Sequence, residues 1–475
     1  MTTPRHRLPG TVPTPGSGPP PVRTGGHAER LRGLPLYGPR FAADPHSCYA
    51  HLRSLHECLA WVELAPGVGA WLVFSYDAAL EVLNSPHLYA KDPRHWRALR
   101  AGEIPADSSV LPMMGYRPNA LFSDPPAHDR YRTAITASLA RIDMHELHET
   151  VTRTADHLID AFAARGEADL LGDYAAVLPV LIFNQLFGQP EDAGPQLVAA
   201  LARMFEGGDG AAQGDLLFTQ YMQDLIALKR AHPGRDVTSW LMAHPARLSD
   251  EEMLHHCALL IAAGTEPVQN LIGNALRLLL SDDRFASSLS GGTLPVDTAL
   301  EEVLWQDPPM ANYAVHYPRQ DLMLRGVPLR EGEPVVISLA AANNDPAVKS
   351  TLSRAGNRAH LAFSAGPHAC PAQDPARLIA TTAIERLLDR LPDVELAVAA
   401  ADLLWRQGPF QRALTDLPVR FAPIHPLGDD TWTTPPPAPG AWTPPEPTST
   451  QKPPNSAPLA PRRGWNFLAR WRPGR

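Results

Sequence analysis

The chain has 475 residues, 44% of them apolar and 19% charged, which is enough apolar surface for a large buried core. Its formal net charge of -8 excludes a general electrostatic attraction to nucleic acid. Four cysteines without CxxC spacing, no apolar leader and no membrane-length apolar run predict a reduced, cytoplasmic protein.

Proline is abundant, at 51 residues, and it concentrates at the two ends. Residues 1–40 and 425–475 read as disordered or polyproline-like arms around a single domain over 41–424. Within that domain, residues 44–57 have the pattern of a short amphipathic helix. Trp61–Leu64 and Ala70–Phe74 read as strands about a Pro66-Gly67 turn, and a helix follows from Ser75 to Leu83. Residues 84–121 lack a clear period and form a long connection of the kind that often shapes a binding site.

A further helix begins near Ala127, with His128 and Arg132 four apart on one face. Residues 146–231 are mostly helical in pattern, broken near Gly188 and again at Gly207-Gly208-Asp209-Gly210. Ser249 and Glu252 have capping-box spacing at the head of a helix that runs to about Leu280, roughly 45 Å long. Gly264 and Pro267 interrupt its middle. Pro267 has no N–H, so the pattern predicts a kink there. Another helix ends at Pro308-Pro309, and residues 334–346 read as a strand and a turn.

The decisive stretch is Phe363-Ser364-Ala365-Gly366-Pro367-His368-Ala369-Cys370. It places one cysteine just before a helix pattern that continues to Leu391. A thiolate there feels the positive end of the helix dipole, which suits a metal-ligating cysteine. Residues 461–475 form a basic segment with five arginines and three aromatics. It suits weak contact with an acidic partner or with the inner face of the membrane.

The cysteine stretch resembles the haem-ligand loop of the cytochrome P450 superfamily, Phe-Gly-x-Gly-x-His-x-Cys-x-Gly. It matches at Phe363, Gly366, His368 and Cys370 and departs at Ser364 and Ala372. The resemblance spans about residues 41–423 and implies a mainly α fold with small β-sheets (α+β), whose long central helix crosses over haem b. It implies Cys370 as the axial iron ligand. It also implies Phe363, Gly366, His368, His128, Arg132 and His316 around the haem, the last standing where most members carry a propionate-binding arginine. On the central helix Ala263, Gly264 and Glu266 match the oxygen-binding stretch, with Gly264 and Glu266 as catalytic candidates. Pro267 replaces the threonine whose hydroxyl helps deliver protons. In the Glu-x-x-Arg signature Glu302 matches and Trp305 replaces the arginine. The ion pair that locks the cysteine loop is therefore expected to be missing, as in a small actinobacterial branch often encoded beside small-GTPase signalling proteins.

What this implies is a monooxygenase acting on a small organic substrate, with electrons from ferredoxin and ferredoxin reductase. The substrate is expected between the long helix, the 84–121 connection and residues 180–220. The alternatives are a weakly active haem protein serving as sensor or signalling partner, a peroxide-driven oxidase, and a pseudoenzyme that has lost haem.

Overall fold

The computed structural model describes residues 33–428, apart from 207, 283, 286–295 and 352–356. Residues 1–32 and 429–475, including the basic aromatic segment, lie outside the described residues. The expected N-terminal arm is shorter than residues 1–40. Leu34–Pro35 is a strand (β1) and Pro39–Ala43 a short helix, with Leu36 and Phe41 buried.

The described chain is mainly helical with small sheets, as the resemblance implies. The largest described sheet contains β1, β2 (Leu59–Ala65), β3 (Val68–Val73), β4 (Tyr89–Ala90), β5 (Asn312–Pro318) and β6 (Val335–Ser338). Their spatial order is β1-β2-β3-β6-β5-β4. β2 and β3 form the hairpin read from the sequence, about Pro66 and Gly67 at φ +75°. β4 runs antiparallel to β5, with Ala90 opposite Tyr317. This pairing sets the start of the 84–121 connection beside the strand that carries His316. The expected turn after residue 338 is instead a helical turn, Leu339–Asn343, capped by the Ser338 side chain. A run of alanines has high helix propensity, so it winds into helix beside β5 and β6.

Helix α1 (Pro45–Leu55) is capped by Asp44, which accepts from Ser47 N–H at 3.0 Å. Helices α2 (Tyr76–Leu83), α3 (Ala127–Leu139) and α4 (Met144–Phe162) begin where the sequence places their starts or within two residues of them. Helices Gly194–Glu206 and Gly208–Ala231 follow one another, so residues 208–210 of the expected break are helical.

The central helix α5 spans Asp250–Ser281 and accommodates Pro267 internally. Its capping box is formed: Glu252 N–H donates to Ser249 Oγ at 3.2 Å and Ser249 N–H to Glu252 Oε2 at 2.8 Å. It packs against α6 (Val296–Gln306), α7 (Gln373–Arg390) and the helix Val177–Leu186. One core is shared by Leu271, Leu276, Leu300, Ile384 and Leu387, all buried. α4 and α7 are further tied by Arg386 and Arg390, which meet Asp156 and Asp160 at 2.6–3.0 Å. α6 packs against Leu361–Phe363 and α7 starts just after Cys370, so both flank the loop that carries the cysteine.

Candidate active site around Cys370

Cys370 lies at the end of a closed loop. Its N–H donates to Phe363 O at 2.8 Å, and Ala369 N–H to Gly366 O at 3.0 Å. Gly366 has φ +70°, and a Cβ there would fall 2.2 Å from Leu83 O at the end of α2. Only glycine lets the loop approach that helix so closely. Ser364 has φ +61° and ψ -169°, a conformation natural to glycine, which explains why its position is usually a glycine. Ala372 has φ -116°, so the second departure costs no comparable strain. Ala372 N–H points at Cys370 Sγ at 3.4 Å.

Burial pushes the Cys370 thiol up, and the Ala372 N–H and the Arg132 charge oppose this. A metal cation is a charge that would favour its thiolate.

Five basic side chains gather beside the cysteine. Arg132 donates to Ala369 O at 2.5 Å, which clasps α3 to the loop. The His128 and His368 rings lie 3.9 Å apart. His128 is buried, with Nδ1 3.4 Å from Asp129 Oδ1 and no hydrogen-bond partner at Nε2. His316 is buried on β5 with Nδ1 on Ala314 O. Lys91, which no local pattern singled out, is buried at the end of β4 and donates from Nζ to Val315 O at 2.8 Å. Burial holds His316 and His368 far below the usual histidine range, and the charge of Lys91 adds to both effects. Burial holds His128 below it as well. Lys91 is brought down to about 7 by burial, against the pull of Asp124.

Phe363 is half-buried between the Arg377 guanidinium, 5.3 Å from its ring, and His360 at 5.9 Å. On α5, Ala262 and Ala263 are exposed at mid-helix. Pro267, four residues after Ala263, shares that face. Gly264 and Glu266, the catalytic candidates, have defined neighbours. A Cβ on Gly264 would fall 2.1 Å from the Phe183 ring, so this glycine serves a close helix crossing. Glu266 is held by Arg406 at 2.9 Å, and Arg406 also reaches Asn270 and Gln411. Its carboxylate is engaged in an ion pair. Thr265 is buried and donates to Ile261 O at 2.6 Å, facing away as its helical position predicts.

The lock on the cysteine loop is not absent but rebuilt. Trp305 is buried, and its Nε1 donates to Asn357 O at 2.8 Å. Its ring meets His360 edge-on at 5.8 Å. The acid that reaches the loop is Glu301, one residue before the expected Glu302. It pairs with Arg377 of α7 and lies 3.4 Å from His360 Nε2. Burial raises the Glu301 carboxyl, and the bonds from His360 and Arg377 outweigh that and bring it down. Glu302 accepts from Gln306 Nε2 at 3.3 Å along its own helix. Glu-x-x-Arg spacing points to Glu302, and only the facing of α6 toward α7 shows that Glu301 takes the part.

A small cavity lies between the 84–121 connection and β5, lined by Lys91, Met113, Met114, Phe122, Tyr313 and Val315. It draws no lining residue from 180–220, where the sequence also placed substrate contacts.

No protein-family profile matches the chain. It is 33% identical over 400 residues to the cytochrome P450 monooxygenase PikC of Streptomyces venezuelae, covering 82% of this chain and 94% of that one. It is 30% identical over 403 residues to vitamin D(3) 25-hydroxylase of Pseudonocardia autotrophica, covering 82% and 96%. The solved structure of CYP154C4 from Streptomyces sp. ATCC 11861 superposes with a TM-score of 0.72 at 30% identity, covering 83% and 99%. The chain belongs to the cytochrome P450 superfamily.

It is accordingly a P450-type monooxygenase, an oxidoreductase whose cofactor is a haem iron. The residues present fit such a group. A P450 haem brings a cation that needs a thiolate and two carboxylates that need buried donors. Here a cysteine stands beside five crowded basic groups, each pushed toward neutrality by burial or a like charge, and one histidine nitrogen lacks any partner. Burying so many bases without an anion is unfavourable, and two carboxylates would relieve it. The exposed alanine face of α5 offers a flat apolar wall for a planar group. In this P450 no helix among the described residues is long and apolar enough to cross a membrane.

Proposed function

We propose that the domain around residues 41–424 is a haem b-thiolate monooxygenase for a small organic substrate, with Cys370 as the axial ligand. The observation that carries this reading is the crowd of uncompensated bases beside Cys370. His128, Arg132 and His368 would meet the carboxylates of the haem, with Phe363 and Gly366 shaping the loop beneath it. When bound, the haem supplies oxygen activation, and a thiolate ligand favours O–O cleavage by pushing electron density to iron. Ala263 and Pro267 would bound the space above it. Met113, Met114, Phe122, Tyr313 and Val315 line a small cavity on the side of the 84–121 connection, where the substrate would approach. Electrons would come from ferredoxin and its reductase.

A second reading is supported by a specific pair of residues. Pro267 offers no hydroxyl, and the Glu266 carboxylate is bound by Arg406. Proton delivery from this helix is therefore weak. That favours poor coupling of electron use to product, as expected of a weakly active oxidase or a sensor.

The test of the haem-thiolate reading is the carbonyl difference spectrum of the reduced protein. The expected band is that of thiolate ligation, lost in Cys370→Ala. A thiol-like or histidine-like band in the unmodified protein overturns the assignment.

A further inference from the structure

We propose that Lys91 is the buried cationic partner of a haem carboxylate in this chain, in the place of the arginine that position 316 lacks. The proposal rests on the haem reading above and names one residue of its carboxylate site.

His316 cannot do this work in its neutral form. Its Nδ1 faces Ala314 O, and a carbonyl oxygen only accepts. The proton is therefore on Nδ1, and Nε2 presents a lone pair. A lone pair repels a carboxylate. Burial and the Lys91 charge both oppose the second proton that would turn Nε2 into a donor.

Lys91 has what His316 lacks. The antiparallel pairing of β4 with β5, Ala90 against Tyr317, sets residue 91 beside Val315 and His316. Its side chain is 6% exposed, and Nζ makes one hydrogen bond, to Val315 O. An ammonium has three N–H donors, so two remain available. No described carboxylate lies within ion-pair distance of Nζ. Asp124, the nearest in charge, takes the Lys91 backbone N–H at 2.8 Å and the Arg319 guanidinium at 3.1 Å. His316 and His368 also face Lys91, and Tyr313 and Tyr317 line the cavity beside it. Lys91 is thus a buried amine in an electropositive setting, with free donors and no counter-ion. An anion arriving there would hold its charge and take up its free donors. It also borders the substrate-side cavity, so the same amine would close one end of that cavity.

The experiment is haem transfer from the ferric holoprotein to excess apomyoglobin, for the unmodified protein, Lys91→Met, Lys91→Arg and Lys91→Met with His316→Arg. A charge-assisted hydrogen bond of ordinary strength predicts roughly 10- to 100-fold faster haem loss from Lys91→Met. Loss at about the original rate is expected from Lys91→Arg and from the double variant, in which arginine returns the charge from the neighbouring strand. An unchanged rate in Lys91→Met overturns the proposal. Faster loss that neither arginine corrects also overturns it, because Lys91 would then only hold the Val315 carbonyl. If Lys91→Met does not fold, Lys91→Gln, which keeps a donor for Val315 O without the charge, decides. It should lose haem faster by a similar factor, and retention equal to the unmodified protein sinks the idea. The carbonyl spectrum of each variant separates this from the parent reading. A missing thiolate band in the unmodified protein defeats the haem-thiolate assignment, whereas a normal band with unchanged retention defeats the role of Lys91 alone.

Discussion

Ser364 holds a backbone conformation, φ +61° and ψ -169°, that a side chain resists. The loop keeps it there because Ser364 N–H is tied to Leu361 O at 2.7 Å and Cys370 N–H to Phe363 O at 2.8 Å. Ser364→Gly should therefore stabilise the protein, by about 1 kcal/mol after the greater chain entropy of glycine is subtracted. The measurement is the urea midpoint at unchanged slope; an unchanged or lower midpoint would show the strain to be relieved elsewhere. At this scale the sequence was informative wherever chemistry is local. Cys370, His368 and Gly366 sit in a contiguous stretch whose spacing can be read directly. Lys91 is different, since nothing in Tyr-Ala-Lys-Asp-Pro marks the lysine. Its meaning comes from a strand more than two hundred residues away.

Between elements, the position of the cysteine loop depends on α6 and α7. Glu301 of α6 is half-buried against Arg377 of α7 and His360 of the loop approach. Asn343 extends the same brace: its Nδ2 donates to Leu304 O at 2.9 Å and its Oδ1 accepts Leu361 N–H at 2.7 Å. Glu301→Gln leaves Arg377 without its acid. It should lower stability by about 2–3 kcal/mol, as breaking a largely buried pair does. In the haem-loaded protein it should also move part of the carbonyl band from the thiolate to the thiol form. A variant with both properties unchanged would show that Trp305 and Asn343 suffice. The Glu-x-x-Trp spacing showed that the usual pair is absent. It could not show the replacement, because neighbouring helical residues face different partners and only packing reveals which. The capping box of α5 was legible for the opposite reason, since its two bonds close within four residues.

Across the whole molecule, a few buried acids join segments far apart in the chain. Asp307 meets His46 at 3.0 Å and Arg412 at 3.2 Å, linking both ends of the domain to α6. Burial raises Asp307, but His46 and Arg412 outweigh it and bring it down to about 2. Glu252 shows the same balance, with Tyr131, Arg130 and Ser249 bringing it down to about 2. Both folded values lie below the ordinary ones, so the unfolded chain binds more protons in acid. Their contribution is complete above about pH 5 and is lost as pH falls toward 2. The urea midpoint should decline across that window, and Asp307→Asn should lower it at neutral pH and flatten the decline. A variant with the full decline would assign acid sensitivity to other groups. The helical character, the central helix and the cysteine loop follow from periodicity, caps and contiguous spacing, which are local properties that the sequence by itself determined. The identity of the lock, the engagement of Glu266 by Arg406, the packing duty of Gly264 and the crowd of bases around Lys91 were decided only by the tertiary structure. Each is a contact between residues distant in sequence, and its energy exists only once the chain has brought them together.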